Sequence, residues 1–318
     1  MTRRTIATVC MSGTLDDKLA AAAAAGFDGI ELFENDLVVS PWSPAEIRAR
    51  CADLGLSIDL YQPFRDFEAA PAALAANLAR ASVKFEVMAS LGVDTMLVCS
   101  SVSPAAVDDD SLAADHLRTL ASRAADRGMR IAYEALAWGR HVSTWDHSWR
   151  IVQAADHPAL GLCLDSFHVL SRSADLTGIE DITPGKIFFL QLADAPHLRM
   201  DVLQWSRHHR LFPGQGSFDL PDFVRRVHAA GYDGPLSLEV FNDVFRQSDP
   251  ERTAVDAMRS LLALENRLPA APDLHSHAFT EFGVDGRSGP ELQNALRGLG
   301  FTHTGQHRSK PVELWEQG

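Results

Sequence analysis

The 318 residues are 46% hydrophobic and 22% charged, with 21 Gly and 16 Pro, a globular mixture that sets aside disorder, collagen and coiled coil. The formal charge of −13, from 29 Lys+Arg against 42 Asp+Glu, repels polyphosphate over most of the surface and argues against nucleic acid as a partner. No apolar run is long enough to cross a bilayer, Thr5 to Cys10 is too short for a signal-peptide core, and Cys10, Cys51, Cys99 and Cys163 form no metal-type cluster; a cytoplasmic chain with reduced, packing cysteines is expected, with no membrane partner.

In chain order, apolar runs of strand length fall at Thr5–Cys10, Gly29–Phe33, Ser57–Leu60, Thr95–Cys99, Arg130–Glu134, Gly161–Asp165, Ile187–Leu192 and Leu236–Phe241. Helix-like stretches alternate with them at Leu15–Ala25, Pro44–Leu54, Ala72–Leu91, Leu112–Arg127, Asp146–Ala155, Phe167–Arg172, Leu220–Ala230 and Glu251–Asn266. Ser43-Pro44 offers a capping hydroxyl before a first-turn proline, and Gly92 stands where a left-handed helix end is wanted. Eight strand-plus-helix units over residues 1–268 predict a (β/α)8 TIM barrel rather than an open doubly wound sheet, which usually has fewer units. Pro269-Ala-Ala-Pro272 opens an expected linker, 269–276. After it come a strand at His277–Val284, a helix at Pro290–Leu299 and a strand at Pro311–Glu316, a βαβ-like piece too small to bury a good core by itself.

Active sites of such barrels lie at the C-terminal ends of the strands. Read that way, the fifth, sixth, seventh and eighth strands deliver Glu134, Asp165, Gln191 and Glu239 to one rim. Three carboxylates in one cavity cannot all stay ionised without a cation. Oxygen donors with one amide suit a hard divalent ion such as Mg2+ or Mn2+. Taken singly, each could equally be a strand-end polar group satisfied by a loop; four in succession make the metal site the stronger reading. His168, three residues past Asp165, is placed to transfer protons over that site; the bland alternative is a solvent-facing histidine in a first helical turn. Arg65, Ser206 and Arg210 lie in rim loops and could hold a substrate carboxylate, or, for the arginines, form surface ion pairs. Glu31 and Glu34 bracket the end of the second strand; either could support the site from behind its ligands, and neither is assigned a role.

The chain resembles the sugar-isomerase-like (xylose-isomerase-like) barrels through Gly231-Tyr-Asp-Gly-Pro-Leu-Ser-Leu-Glu239. More closely it resembles bacterial 3-dehydroshikimate dehydratases, through Gln62-Pro-Phe-Arg-Asp-Phe67, Ala132-Tyr-Glu-Ala-Leu-Ala-Trp138, Cys163-Leu-Asp-Ser-Phe-His168, Ile187-Phe-Phe-Leu-Gln-Leu-Ala-Asp-Ala-Pro196 and Trp205-Ser-Arg-His-His-Arg210. The resemblance implies a hydro-lyase that converts 3-dehydroshikimate, a small-molecule substrate, to protocatechuate in quinate and shikimate breakdown. It implies a divalent metal (Mg2+, Mn2+ or Co2+) on Glu134, Asp165, Gln191 and Glu239, with His168 in proton transfer and Arg65, Ser206 and Arg210 on the carboxylate. Gln215 departs from the acidic residue expected in the Pro-Gly-x-Gly turn. Ala278-Phe-Thr-Glu-Phe-Gly-Val284 and Leu299-Gly-Phe-Thr-His-Thr-Gly-Gln-His307 resemble the opening of a 4-hydroxyphenylpyruvate-dioxygenase-like module, so 277–318 is expected to be an incomplete fragment of one. A sugar or sugar-phosphate isomerase on the same barrel and a non-catalytic binding barrel are the competing readings. A homo-oligomer is compatible with all of them.

Overall fold

The computed structural model describes residues 2–266 and 279–318. The chain divides into two compact units, Met1–Leu268 and Pro269–Gly318. In the first, eight parallel strands form a closed barrel: β1 (Arg4–Ala7), β2 (Gly29–Phe33), β3 (Ser57–Phe64), β4 (Thr95–Cys99), β5 (Arg130–Glu134), β6 (Leu160–Asp165), β7 (Ile187–Leu192) and β8 (Leu236–Leu238). Closure is completed by β1 pairing with both β2 and β8. The expected barrel and its eight strands are thus present, with shifted ends. The first strand stops at Ala7 because Thr8–Cys10 turn into a 3-10 helix. The third runs on to Phe64, and the eighth ends at Leu238.

The helices follow from capping and periodicity. Ser43 accepts a hydrogen bond from the Glu46 backbone N–H while the Glu46 carboxylate takes the Ser43 N–H, a reciprocal cap that starts helix Pro44–Asp53. Helix Leu74–Leu91 buries Leu78, Ala81, Phe85, Met88 and Leu91 on one face, the three-and-four spacing of an amphipathic helix. It ends at Gly92, whose φ of +73° is left-handed and poorly tolerated by other residues. Helices Glu34–Val39 and Val202–His208 were not expected from the sequence; both are short rim-loop helices without a long apolar period.

What positions the site is the two-residue repeat of the strands. Leu60, Leu97, Cys99, Ala132, Cys163 and Phe189, with Leu136, form a separate apolar cluster. Alternate strand residues share a face. One pleat further toward the C-terminal rim, Ala132 gives way to Glu134, Cys163 to Asp165 and Phe189 to Gln191. An apolar plug therefore underlies a polar tier.

In the second unit, helix Ser288–Gly298 precedes two antiparallel strands, Thr302–Gln306 and Glu313–Glu316. The expected linker 269–276 lies outside the described residues. Of the expected strand 277–284, the described part, 279–284, carries none. The strand after the helix, Thr302–Gln306, was not anticipated. No described residue of this unit is buried, in keeping with its small size.

Candidate active site

Glu134 and Asp165 close their strands, Gln191 is the last residue but one of β7, and Glu239 follows β8. All four are buried. Glu134, Asp165 and His168 each bring a ligand atom within 4.8 Å of the others. His168 Nε2 lies 3.6 Å from Asp165 Oδ2 and 3.9 Å from Glu134 Oε1. Asp165 also caps the short helix Ser166–Leu170 by accepting the Phe167 N–H, which fixes His168 one turn beyond it.

Arg210 occupies the middle of this group and is 1% exposed. Its Nη1 donates to Asp165 Oδ2 at 2.6 Å, to Glu239 Oε2 at 3.1 Å and to the Glu239 carbonyl at 3.1 Å. Its Nε and Nη2 donate to Ser206 Oγ, and its guanidinium stacks over Phe167. Ser206 and Arg210 therefore sit within the acidic cluster and point at each other. They are four residues apart across the end of helix Val202–His208, one face of a helical turn. Arg207, one residue on from Ser206, lines a cleft together with Arg65, Glu134, Trp138, His168, Phe241 and Arg210 itself. Burial pushes the Arg207 guanidinium down, and the neighbouring positive charge of Arg65 pushes it further. Two repelling cations facing one cleft want an anion between them. Arg207 was missed in the sequence because its orientation depends on how the helix is rolled.

The electrostatics are those of a site short of positive charge. Burial first, then Asp165 and Glu239, push the Glu134 carboxyl well up. Burial raises Glu239 as well, with Arg210 opposing and Asp165 adding. Glu31, unassigned in the sequence, proves to be fully buried, and burial followed by Glu239 raises its carboxyl strongly. Glu34 is engaged away from the cleft, by Tyr61 and Lys84. Glu134 Oε2 accepts only the weak Cys99 S–H at 3.3 Å, and Glu134 Oε1 is buried without a hydrogen-bond partner. An unpartnered buried carboxylate oxygen beside two further ligand-type groups is the environment a divalent cation fits.

His168 is held between Trp138 and Phe167, both edge-on. Burial drives its pKa down to about 3; Arg210 and Arg207 act in the same direction and Asp165 opposes them. Nδ1 faces the Ala137 N–H at 3.1 Å and Nε2 faces Arg210 Nη2 at 3.2 Å. The backbone N–H can only donate, so the neutral ring carries its lone pair on Nδ1 and its proton on Nε2, the nitrogen on the Arg210 side. Asp194, after β7, collects the backbone N–H groups of Gly214, Gly216 and Phe218. It anchors the turn in which Gln215 bonds to Asp256.

Residues 19–264 match the xylose isomerase-like TIM barrel family. The chain belongs to that family. A 3-dehydroshikimate dehydratase of Pseudomonas aeruginosa is 53% identical over 336 aligned residues, covering 99% of this chain and 53% of that protein. A 3-dehydroshikimate dehydratase of Neurospora crassa is 30% identical, covering 80% of this chain and 89% of that one. Among solved structures, a xylose isomerase-like TIM barrel/4-hydroxyphenylpyruvate dioxygenase fusion protein superposes with a TM-score of 0.88 at 51% identity, over 100% of this chain and 54% of that one. This member of the family thus spans about half the length of the bacterial relatives it matches. Among the described residues, no helix is long and apolar enough to cross a membrane.

Proposed function

We propose that the barrel is a metal-dependent 3-dehydroshikimate dehydratase, releasing water from 3-dehydroshikimate to give protocatechuate. The observation that carries the reading is the convergence of Glu134, Asp165 and His168 under a cleft that also presents Arg65, Arg207 and Arg210; the named relatives supply the substrate. Glu134, Asp165, Gln191 and Glu239 would hold the divalent ion, which supplies Lewis-acid polarisation of the substrate ketone when bound.

The residues of the chain do the rest. The neutral His168 ring gives its Nε2 proton to the departing β-hydroxyl, and the hydrogen lost α to the ketone restores it, so that one water leaves and the imidazole ends as it began. Loss of that hydroxyl as water and a further proton shift aromatise the ring. Arg65 and Arg207 bind the carboxylate and set the ring's orientation, while Trp138 and Phe241 form apolar walls. Arg210 and Ser206, proposed from the sequence for the carboxylate, act one layer deeper: Arg210 balances Asp165 and Glu239, and Ser206 holds Arg210 in place. The second unit we read as the opening part of a module like the dioxygenase half of the fusion structure.

The test is to strip metal with a chelator, supply 3-dehydroshikimate, and restore Mg2+, Mn2+ or Co2+ in turn while following the ultraviolet absorbance of the new aromatic ring. Activity should vanish on stripping and return with at least one ion. His168→Ala should lose about 10²–10⁴-fold in kcat while retaining its metal. Ketose epimerisation without new absorbance would put the chain with the isomerases instead, and full activity in chelator would end the metal reading.

A further inference from the structure

Glu31 stands in the middle of β2 and has no part in the ligand set or the substrate contacts proposed above. Its side chain is nevertheless the meeting point of three other strands. Oε2 accepts Nε2–H of Gln62, on β3, at 2.8 Å and Nε2–H of Gln191, on β7, at 2.5 Å. Oε1 accepts the hydroxyl of Ser237, on β8. Three strands thus commit inward polar groups to one carboxylate on a fourth, and that carboxylate is itself 0% exposed. Buried polar networks persist when every member is satisfied, and here the donors and the acceptor match.

The consequence lies at Gln191. A glutamine amide has a donating and an accepting end of nearly the same shape, and a half-turn of its last bond exchanges them. For a cation the two are opposites, since Oε1 is a ligand and Nε2 repels. Glu31 Oε2 receives two amide N–H groups and so acts as an acceptor. Nε2 of Gln191 faces it, and Oε1 is left on the other side, where its neighbour is the weak Cys163 S–H at 3.3 Å. We propose that Glu31 is a positioning residue that locks the Gln191 amide with its oxygen presented to the divalent ion. This rests on the metal reading given above and extends it to a residue outside the ligand set.

The experiment is calorimetric titration of the whole chain with Mn2+, with no substrate present. Glu31→Ala removes the acceptor and should weaken Mn2+ binding by about 10–100-fold, the range for groups that orient ligands. Glu31→Gln keeps a carbonyl toward both amides and should bind close to the parent chain. Gln191→Glu sets two carboxylates face to face and should bind poorly. The exchanged pair Glu31→Gln with Gln191→Glu restores the donor–acceptor match between the two positions once the Gln62 amide turns its oxygen to the new N–H, and should recover much of the loss, a coupling that a merely structural role would not produce. Unchanged affinity in Glu31→Ala, or no recovery in the exchanged pair, overturns the proposal; if Glu31→Ala does not fold, the exchanged pair decides. A parent chain that takes up no Mn2+, Mg2+ or Co2+ would remove the metal reading itself and the proposal with it.

Discussion

Two buried glutamates on the same rim, Glu134 and Glu68, look alike by every local measure and behave differently in their surroundings. Each is 2% exposed, and each has one oxygen without a hydrogen-bond partner. β5 touches both: Glu134 ends it, and the hydroxyl of the preceding Tyr133 reaches Glu68 Oε1 at 3.1 Å. The other donor to Glu68 is the Ser101 backbone N–H at 2.5 Å, so Glu68 ties the loop carrying Arg65 to the loop that follows β4 and to β5 itself. Its pocket also contains Asp109, Asp110 and His141. Those groups are committed elsewhere: Asp109 caps helix Asp110–Ala125, Asp110 holds His147, and His141 meets the Ala106 carbonyl. Around Glu134, by contrast, Asp165 and His168 converge. An unpartnered oxygen alone marks a costly burial; it marks chemistry only where other reactive groups share its space.

The same isosteric change should therefore separate the two. Glu134→Gln is expected to lower kcat/KM by more than about 100-fold, beyond the 10–100-fold typical of residues that only support ligands. Glu68→Gln should leave kcat near the parent value. Steady-state rates on 3-dehydroshikimate measure both, and equal losses would erase the distinction drawn here. Next in size comes the cleft. Arg207→Ala removes one charge-assisted hydrogen bond to an anion, of about 1.5–3 kcal/mol, so KM should rise about 10–100-fold with kcat little changed. Should Arg210→Ala rather than Arg207→Ala show a pure KM effect, the carboxylate would lie deeper than proposed.

How far the sequence could take this argument depended on where each residue sits in its element. Strand-end carboxylates are legible because a short apolar run that stops at Glu134 or Asp165 places them at the rim once a barrel is assumed. Glu31 gave no such signal. It lies third of five in Gly29–Phe33, yet it hydrogen-bonds to Gln191 near the end of β7 and to Ser237 in the middle of β8. That levelling comes from the stagger of barrel strands, which no single strand reveals. Arg207 and Arg210 are three residues apart in one basic segment and both line the cleft, and only the packed position of helix Val202–His208 decides that Arg210 is the one tied to Asp165 and Glu239. In the second unit a helix followed by a strand was legible as far as Ser288–Gly298, but the antiparallel pairing of Thr302–Gln306 with Glu313–Glu316 depends on a turn that periodicity does not specify.

The smallest expected effect concerns stability and comes from Glu68. Burial raises its carboxyl from the ordinary 4.5 to about 7, against the pull of the Ser101 N–H and Tyr133 hydroxyl. Between those two values the folded chain holds a proton that the unfolded chain has released, so this group's contribution is complete below about pH 4.5 and is lost as pH rises through 7. His168 acts in the opposite sense: neutral in the fold down to about pH 3 against an ordinary 6.5, it costs stability as pH falls through that interval. Denaturant curves of Glu68→Gln against the parent cancel the histidine and isolate the glutamate. The amide keeps an acceptor for Ser101 and Tyr133 and cannot ionise. The variant should match the parent near pH 4.5 and exceed it above pH 7, by at most about 3 kcal/mol for a shift of this size. Parallel pH profiles for the two proteins would mean that water reaches the free oxygen of Glu68 and that the pocket beside it is already hydrated, leaving Glu134 as the rim glutamate whose burial is uncompensated.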